Sequence, residues 1–460
     1  MIELRDYQAD MMEDARAAMR SGIRRFMLVL PTGGGKTAVS TSIISETAAR
    51  GNAALFLCHR MELLEQTEAT FEKAGLDYGV VAAGRQYEAG KPVYIGSIET
   101  VRRRLRSLPN PDLIIVDECS HIVSRTWKQV VDAWPDAWRI GLTATPLRLS
   151  GEGFEGVFNL MVLGPSVRDL IEAGWLAGFK YYAPPGVDAA GLHTRYGDYV
   201  LSEAAALMDR PHITGDAIKH YRRLSDGKRA VIFCASVAHS MNVAEAFRSA
   251  GVPARHVDGT TPAGERRQAL EGFRDGSILA LTNVNIFAEG VDVPALETAI
   301  LLRPTRSLAM YLQMVGRALR PQEGKTALIL DHVGAAGMHG LPDEPRSWTL
   351  HGRLRGSRTG NSGEQMLAVS ICEDCYAAYK PAAHCPYCGA ATKPTRREIE
   401  QREGELEEIA KWEASAAARR EQGAAQTFEE LAELGRQRGY RNPAFWASKV
   451  ISGRKRGKRK

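Results

Sequence analysis

Short apolar runs alternate with longer amphipathic segments from residue 1 to about residue 335. The runs have the length and the β-branched or aromatic content of buried strands, whereas the amphipathic segments have the period of helices. Glycine follows the helical segments 36–49 and 237–250, and Pro262 takes the first helical position of segment 262–274. The predicted strands cover residues 25–30, 53–58, 92–96, 112–117, 138–142, 230–234, 254–257, 278–283, 298–302 and 326–331.

The predicted strands form two sets, separated by an irregular stretch at about 164–200 that is rich in Gly, Pro and Tyr. Strands that alternate with helices imply βαβ units and a parallel sheet covered on both faces. The pattern therefore predicts two tandem α/β domains, residues 1–163 and 164–335. The composition then changes, and we expect a linker, a cysteine module, a helical region and a basic tail at 336–370, 371–390, 391–453 and 454–460.

The composition, 44% hydrophobic and 25% charged residues, is that of an ordinary globular protein. No apolar run approaches the ~18 residues of a membrane span, and no secretory signal is visible, so we expect an intracellular protein without a membrane partner. The net charge of +6 equals the six cationic residues of "RKRGKRK" at 454–460. That tail either attracts a polyanion or serves as a solubilising or targeting extension.

The seven cysteines fall into two classes. Three of them end apolar runs, where a free cysteine acts as a small buried hydrophobe: Cys58, Cys119 and Cys234. The other four form C-x2-C-x9-C-x2-C: Cys372, Cys375, Cys385 and Cys388. Two paired loops of this kind offer four thiolates to one tetrahedral ion, which predicts a structural Zn²⁺ site; the alternative is chance spacing without a metal.

A glycine-rich loop, "LPTGGGKT" (30–37), follows a predicted strand and opens a predicted helix. This is the setting of a phosphate-binding loop, in which backbone N–H groups and the helix N-terminus face phosphate oxygens. The candidate nucleotide ligands are Thr32, Gly33, Gly34, Gly35, Lys36 and Thr37, with Lys36 on the β- and γ-phosphates and Thr37 on Mg²⁺. Leu30 stands where the strict pattern has glycine, so an incidental glycine turn is the alternative.

Two acids end the apolar strand "LIIVDE" (113–118). Packing does not explain acids at the end of a buried strand, whereas Mg²⁺ takes one or two carboxylates and a base positions water. We assign Asp117 to Mg²⁺ and Glu118 to the attacking water.

Two arginines stand three residues apart in "YLQMVGRALRP" (311–321), on one face of a predicted helix. Arg317 and Arg320 could neutralise charge on a transferring γ-phosphoryl group, or they could be solvated surface residues. Gly316 costs the helix ~1 kcal/mol relative to alanine, which indicates close packing at that position and favours a functional role.

The ordered set of motifs resembles that of superfamily 2 helicases and translocases, and it is most similar to the RadD-type bacterial and phage proteins. The resemblance implies two RecA-like domains, with ATP between them. The matching segments are "LRDYQ" (4–8), "LPTGGGKT" (30–37), "LCHRMELLEQ" (57–66), "GSIETVRRR" (96–104), "VDECSH" (116–121), "GLTATPLR" (141–148), "VIFCASVAHS" (231–240), "LTNVNIFAEGVDVP" (281–294) and "QMVGRALR" (313–320).

The resemblance also implies residue roles. Arg5 and Gln8 would recognise adenine, Gly290 and Asp292 would approach the ribose and phosphates, Gln313 would lie near the attacking water, and Arg317 and Arg320 would be arginine fingers. Thr143 and Thr145 would link hydrolysis to DNA contacts. The residues expected to contact the nucleic-acid backbone are Arg60, Gln66, Ser97, Thr100 and Arg103. Ser120 takes the fourth position of the DEAD/DEAH-type motif and His121 the next, so either could couple the domains.

Together with this resemblance, these features predict an ATP-dependent DNA helicase or translocase that uses ATP, Mg²⁺ and a structural Zn²⁺ in DNA repair, recombination or replication; the preference for DNA over RNA is what the resemblance to RadD-type proteins implies. Single-stranded or branched DNA is the expected partner, with single-strand-binding or recombinase proteins as candidate protein partners, in the cytoplasm of a bacterial or phage-infected cell. The alternatives are an RNA helicase and a nucleic-acid-binding protein that holds ATP without turnover.

Overall fold

The strands predicted from the apolar runs assemble into two parallel sheets in the computed structural model of the protein. Both sheets belong to one unit, Met1–Thr392, and residues Lys393–Lys460 form a second unit. The structure describes residues 3–148, 153–184, 189, 191–195, 197–286, 296–351, 369–392, 425, 427–438, 443–444, 447–448 and 450.

Seven strands form the first sheet, in the order β3-β4-β2-β5-β6-β1-β7, and every paired neighbour is parallel. Its strands are β1 (Arg25–Val29), β2 (Ala54–Cys58), β3 (Tyr78–Val81), β4 (Val93–Ser97), β5 (Leu113–Val116), β6 (Trp138–Thr143) and β7 (Leu160–Leu163). The accompanying helices are α1 (Asp6–Arg20), α2 (Lys36–Ala49), α3 (Met61–Ala74), α4 (Ile98–Arg104) and α5 (Arg125–Val131). Apolar side chains on both faces of the sheet form separate buried clusters, because helices cover both faces.

Six strands form the second sheet, in the order β12-β13-β11-β14-β15-β8. Its strands are β8 (Gly178–Tyr182), β11 (Ala230–Cys234), β12 (Ala254–Val257), β13 (Ala280–Asn283), β14 (Thr298–Leu302) and β15 (Thr326–Asp331), and a hairpin of β9 (Thr194–Arg195) and β10 (Asp198–Tyr199) precedes β11. The helices are α6 (Val167–Glu172), α7 (Leu201–Met208), α8 (Pro211–Ser225), α9 (Val237–Ser249), α10 (Ala263–Asp275), α11 (Leu308–Ala318) and α12 (Ala335–His339).

The predicted pair of parallel α/β domains is confirmed, and each predicted strand overlaps an observed strand. Within the two parallel sheets that the structure describes, β3, β7 and β8 were not predicted, and the short strands β9, β10, β16 and β17 outside those sheets were not predicted either. The position given to Pro262 is wrong by one residue, because its ψ of 143° is extended and α10 begins at Ala263.

The segment after α12 returns from the second domain to the first. Leu341 belongs to the core of the second domain, whereas Trp348 and Leu350 pack against an apolar cluster of the first. The carbonyl oxygen of Leu350 accepts hydrogen bonds from the N–H groups of Phe154 (2.7 Å) and Glu155 (3.2 Å). We call residues 341–351 the interdomain strap; they lie within the predicted linker, whose first residues, 336–339, belong to α12.

The cysteine module adds a two-stranded antiparallel sheet, β16 (Ser370–Ile371) and β17 (Ala378–Tyr379), beside the second domain. An antiparallel bridge joins Tyr182 of β8 to Ala377, and the N–H of Ala183 donates to the carbonyl oxygen of Tyr376 at 2.8 Å. The module therefore extends the edge of the second sheet.

The second unit contains helix α13 (Phe428–Gln437), which starts with a capping box between Thr427 and Glu430. The basic tail 454–460 and residues 393–424 of the predicted helical region lie outside the described residues. Within the described part of the chain, no helix has the length and apolar character to cross a membrane.

The packing around Gly141 in β6 predicts that a side chain there destabilises the first domain. A Cβ on Gly141 would lie 2.4 Å from Cζ of Phe158 and 2.8 Å from Sγ of Cys119, so Gly141→Ala forces the core apart. We expect a loss of about 1–3 kcal/mol in the free energy of unfolding, measured by denaturant titration. Gly156→Ala is the control, because open space surrounds Gly156; equal stability of the two variants would contradict the described packing.

Candidate functional site

The glycine-rich loop lies between β1 and α2, at the carboxyl edge of the first sheet. Gly33 and Gly35 have φ of +86° and +87°, in the left-handed region that favours glycine. A Cβ on Gly35 would lie 2.2 Å from Nε2 of Gln8, so a side chain there would displace the Gln8 amide from its hydrogen bond to Gly34. Because α2 begins at Lys36, its N-terminal N–H groups and the loop together form a site suited to phosphate.

The N-terminal segment holds this loop from one side. The hydroxyl of Tyr7 and Nε2 of Gln8 both donate to the carbonyl oxygen of Gly34, at 2.8 and 3.1 Å. The N–H of Arg5 in turn donates to Oε1 of Gln8 at 3.0 Å. Gln8 thus lies at the loop, where it is buried, and Arg5 lies next to it.

Leu30, the departure from the strict loop pattern, has a packing role. Its side chain is buried in the core of the first domain, and its Cδ1 would lie 2.6 Å from a Cβ on Gly164. Its carbonyl oxygen accepts a hydrogen bond from Nζ of Lys36 at 3.4 Å. A leucine in place of the pattern's glycine at position 30 is therefore accommodated without displacing the loop.

Two carboxylates follow β5 and face the lysine of the loop. Asp117 is only 8% exposed, and its burial and the neighbouring charge of Glu118 raise the pKa of Asp117 to about 6. Oε1 of Glu118 lies 4.0 Å from Nζ of Lys36. Glu118 has a φ of 45°, an uncommon backbone conformation for a residue with a side chain, which aims it into the site.

Ser120 and His121, which follow the acids after Cys119, make contacts within the first domain. The hydroxyl of Ser120 donates to the carbonyl oxygen of Glu118 at 3.4 Å. The ring centroid of His121 lies 4.9 Å from that of His59, which follows β2. Later in the sequence, Thr143 ends β6 and Thr145 follows it. Both side chains are buried, and the N–H of Thr145 donates to the hydroxyl of Thr143 at 3.1 Å.

Helix α11 of the second domain meets the glycine-rich loop of the first. A Cβ on Gly316 would lie 2.8 Å from Cβ of Thr32, which confirms the close packing predicted from this glycine. A Cβ on Gly33 would lie 3.7 Å from Cγ of Arg320. The structure therefore brings the phosphate-type loop and the arginine segment together across the domain boundary.

The remaining predicted residues of this site are placed as follows. Gln313 and Arg317 lie on α11 and are buried. The single-helix placement of both arginines is wrong, because α11 ends at Ala318 and Arg320 lies beyond the helix cap at Leu319. Gly290 and Asp292 lie outside the described residues.

Two family models match the chain. The model described as type III restriction enzyme, res subunit, matches residues 1–148, and that described as helicase conserved C-terminal domain matches residues 214–322. A 51.5 kDa protein of a Lactococcus phage (isolate 7-9) is 34% identical over 364 residues, which are 79% of this chain and 77% of the phage protein. The chain belongs to superfamily 2 of the helicases.

Two further relatives agree with this membership. The protein named "Putative ATP-dependent helicase IRC3" of Saccharomyces cerevisiae is 28% identical over 358 residues, 73% of this chain and 52% of the yeast protein. The "DNA 3'-5' translocase XPB2" of Sulfurisphaera tokodaii is 27% identical over 380 residues, 72% of this chain and 82% of that protein. This superfamily 2 helicase spans about half the length of the yeast relative, and it is an ATP-hydrolysing enzyme.

The residues that the sequence predicts for nucleic-acid contact in this helicase lie near one edge of the first sheet. Strands β2 and β4 are parallel neighbours with Cys58 opposite Ser97, so their carboxyl ends meet. Arg60 and Gln66 follow β2, at the cap of α3 and within it, whereas Ser97, Thr100 and Arg103 lie at the end of β4 and in α4. The side chain of Arg103 is exposed.

The second domain of the helicase reaches the same edge. Nη1 of Arg60 donates to the carbonyl oxygen of Asn285 at 3.2 Å, just beyond β13. Arg266 of α10 forms an ion pair with Glu62 of α3. The residues of the first domain that are predicted to contact the nucleic-acid backbone therefore lie next to the residues that join the two domains.

The four cysteines of the helicase's cysteine module are brought together. Their sulfur atoms all lie within 4.8 Å of one another, with 3.5 Å between Cys372 and Cys388 and 3.7 Å between Cys375 and Cys385. A tetrahedron with metal–sulfur bonds of about 2.3 Å has sulfur–sulfur separations of about 3.8 Å, so the cluster fits one ion. Cys58, Cys119 and Cys234 are buried elsewhere, as predicted.

Tyr7 and Trp175 lie near the candidate nucleotide site and were not among the predicted residues. Tyr7 precedes Gln8 in the segment "LRDYQ", and its hydroxyl donates to the carbonyl oxygen of Gly34 in the loop. Its position next to Gln8 is the sequence signal that could have identified it. Trp175 lies between α6 and β8, and no local spacing connects it to the loop.

The contact at Gly316 predicts that Gly316→Ala lowers the ATPase rate of the helicase. The added methyl group cannot fit against Thr32 at 2.8 Å, so α11 must move away from the loop. Because misplacement of a catalytic element by about 1 Å can cost ~100-fold, we expect a loss of at least ~10-fold in the turnover rate.

The matched control is Gly215→Ala, another glycine in a helix, α8, but with open space around it. Alanine there should leave the ATPase rate unchanged and favour the helix by up to ~1 kcal/mol. Steady-state ATPase assays and thermal unfolding of both variants test the prediction; a native rate for Gly316→Ala would contradict it.

Proposed function

We propose that this helicase couples ATP hydrolysis between two RecA-like domains to movement along single-stranded or branched DNA, in DNA repair, recombination or replication. The observation that carries the proposal is the contact of α11 with the glycine-rich loop at Gly316 and Thr32. A site divided between two domains is completed when they close, so binding and release of its ligand change how the domains face each other.

The ATP site is proposed to work through groups from both domains. Thr32 to Thr37 hold the phosphates, Arg5 and Gln8 contact adenine, and Gly290 and Asp292 complete the site from the second domain. Glu118, with Gln313 nearby, orients and deprotonates the attacking water. Arg317 and Arg320 neutralise charge on the γ-phosphoryl group as it is transferred.

The donor set beside Lys36 suits Mg²⁺. A hydroxyl at Thr37 and a buried carboxylate at Asp117 are hard oxygen ligands. Burial and the neighbouring charge of Glu118 raise the pKa of Asp117, and a bound cation would favour its charged form. Bound Mg²⁺ would neutralise phosphate charge.

DNA is the proposed track for two reasons. The name of the Sulfurisphaera relative specifies a DNA translocase, and the first family model is that of a restriction enzyme subunit. The candidate contacts Arg60, Gln66, Ser97, Thr100 and Arg103 lie near one edge, and hydroxyl and guanidinium groups there would bind backbone phosphates without reading bases.

Single-strand-binding or recombinase proteins are the proposed protein partners, and the basic tail 454–460 adds a polyanion-binding extension.

The decisive measurement is the ATPase rate with no nucleic acid and with single-stranded, duplex and forked DNA and RNA of the same sequence. We expect single-stranded or forked DNA to raise the rate at least ~10-fold, and RNA to leave it near the basal value. Stimulation by RNA instead of DNA would favour an RNA helicase, and a rate unchanged by every nucleic acid would contradict movement.

Glu118→Gln separates ATP binding from turnover. Because the amide cannot accept a proton from water, we expect the rate to fall at least ~100-fold with ATP binding retained. Glu88→Gln is the control, since Glu88 is an exposed acid paired with Lys91 away from the site. A native rate no faster than that of Glu118→Gln would favour a protein that holds ATP without turnover.

We also propose that the cysteine cluster holds one structural Zn²⁺. Four thiolates leave no open coordination position, so the ion stabilises the module and takes no part in hydrolysis. We expect one zinc per chain in the purified protein, and its loss in Cys375→Ser and Cys385→Ser but not in Cys234→Ala, measured by elemental analysis. Full zinc content in the cluster variants would contradict the site.

A further inference from the structure

Arg320 reaches the glycine-rich loop from a position beyond the end of helix α11. The helix ends at Ala318, and the chain continues through Leu319 into Arg320. Cγ of Arg320 would lie 3.7 Å from a Cβ on Gly33, so its side chain starts directly beside the loop. A residue beyond a helix end has no helical hydrogen bonds to fix its direction, so other contacts must hold the backbone of Arg320 in this place.

Two hydrogen bonds from outside the helix fix the backbone at this point. The N–H of Ala177, directly before β8, donates to the carbonyl oxygen of Leu319 at 2.8 Å. Nζ of Lys325 donates to the carbonyl oxygen of Arg320, also at 2.8 Å. Lysine side chains bind carbonyl oxygens at the end of a helix because those groups carry a partial negative charge. Lys325 therefore acts on the backbone of the arginine itself.

Lys325 is held in turn by the second sheet. Its N–H donates to the carbonyl oxygen of Gln322 at 3.1 Å, which closes a tight turn, and Gly324 within this turn has a φ of +67°. Strand β15 begins at the next residue, Thr326. The side chain of Lys325 thus connects a strand of the second sheet to the segment that carries Arg320.

The ammonium group of Lys325 is half-buried but has no acid as its partner. Burial, with the charges of Arg320 and Arg229 and against the charge of Glu297, lowers the pKa of Lys325 to about 8. Glu297 is paired instead with Arg229, at 3.5 Å. No carboxylate in the described part of the chain forms an ion pair with Lys325. Its hydrogen-bond partner is the carbonyl oxygen of the proposed arginine finger.

We propose that Lys325 is a positioning residue for Arg320, and that it holds this arginine in the direction that reaches the γ-phosphoryl group. The proposal rests on the proposed function, because it assumes that Arg320 neutralises charge on that group. Arg320 would touch the nucleotide, whereas Lys325 would act only through the backbone of Arg320. Because misplacement of a catalytic group by about 1 Å can cost ~100-fold in rate, the loss of this hydrogen bond should be visible in turnover.

Lys325→Met removes the donor and keeps most of the length of the side chain. We expect kcat for ATP to fall about 10- to 100-fold, with KM for ATP and Kd for ADP unchanged, because ADP has no γ-phosphoryl group. The affinity for ADP with aluminium fluoride, which imitates the transferring group, should fall by the same factor as kcat. Lys325→Arg keeps a long cationic donor and should restore most of kcat.

A double variant tests whether Lys325 acts through Arg320. Once Arg320→Ala has removed the guanidinium group, Lys325→Met should have little further effect, so the double variant should hydrolyse ATP as slowly as Arg320→Ala alone. Two independent contributions to the rate would multiply instead, and that result would contradict the proposal.

Arg222→Met is the matched control for the loss of a contact at a helix end. Nη2 of Arg222, on α8, donates to the carbonyl oxygen of Ala250, which caps α9. This contact lies beside β12, at the edge of the second sheet opposite β8. Thermal unfolding of both variants measures the effect of each lost contact on stability, and only Lys325→Met should lower kcat.

Three further outcomes would overturn the proposal: a native kcat in Lys325→Met, an equal loss of kcat in Arg222→Met, or a loss of ADP affinity in Lys325→Met as large as the loss of kcat. A native kcat in Arg320→Ala would show that the proposed role of Arg320 itself fails. All of these rates are measured without nucleic acid, so the result is separate from whether DNA stimulates hydrolysis.

Discussion

A glycine with no side chain lets helix α11 of the second domain reach Thr32 in the loop of the first, and the proposed nucleotide site depends on that approach. The space between them does not admit even a methyl group, since its carbon would lie 2.8 Å from Cβ of Thr32. In the proposed site, the loop supplies the positive end of a helix and the lysine, whereas the second domain supplies the arginines. Neither half would form this phosphate site without the other.

The central strands were predictable because burial on both faces leaves a continuous apolar signal. β2, β5 and β14 are buried at every residue, and their sequences are uninterrupted apolar runs or nearly so. The strands at the edges carry a weaker signal: β3 alternates between half-buried and buried residues, and β8 is mostly half-exposed. These segments become strands because they pair with a neighbouring strand, and a short stretch of sequence does not show which strand that is.

The site divides in the same way. The loop and the acids were predictable because each needs particular residue types at fixed spacing: glycines where φ is positive, and carboxylates where a buried strand ends. Trp175 was not predictable, because 170 positions separate it from Arg5 and only the folding of the domains brings them together. The sequence pattern also did not predict that α11 ends before Arg320, because the helical spacing of residues continues in the sequence beyond the last hydrogen-bonded turn.

The interdomain strap gives the two sheets a second covalent crossing, in addition to the segment between β7 and β8. Trp348 and Leu350 anchor it to the same apolar cluster that contains Cys119 and Phe158, which lie behind the acids. Two bodies joined at one point can swivel in any direction, but two separated joints leave mainly one axis of rotation. Opening of the cleft between the domains would then be mainly a rotation about the axis through the two connections. The direction of that rotation would be set by where the chain crosses between the domains instead of by the ligand.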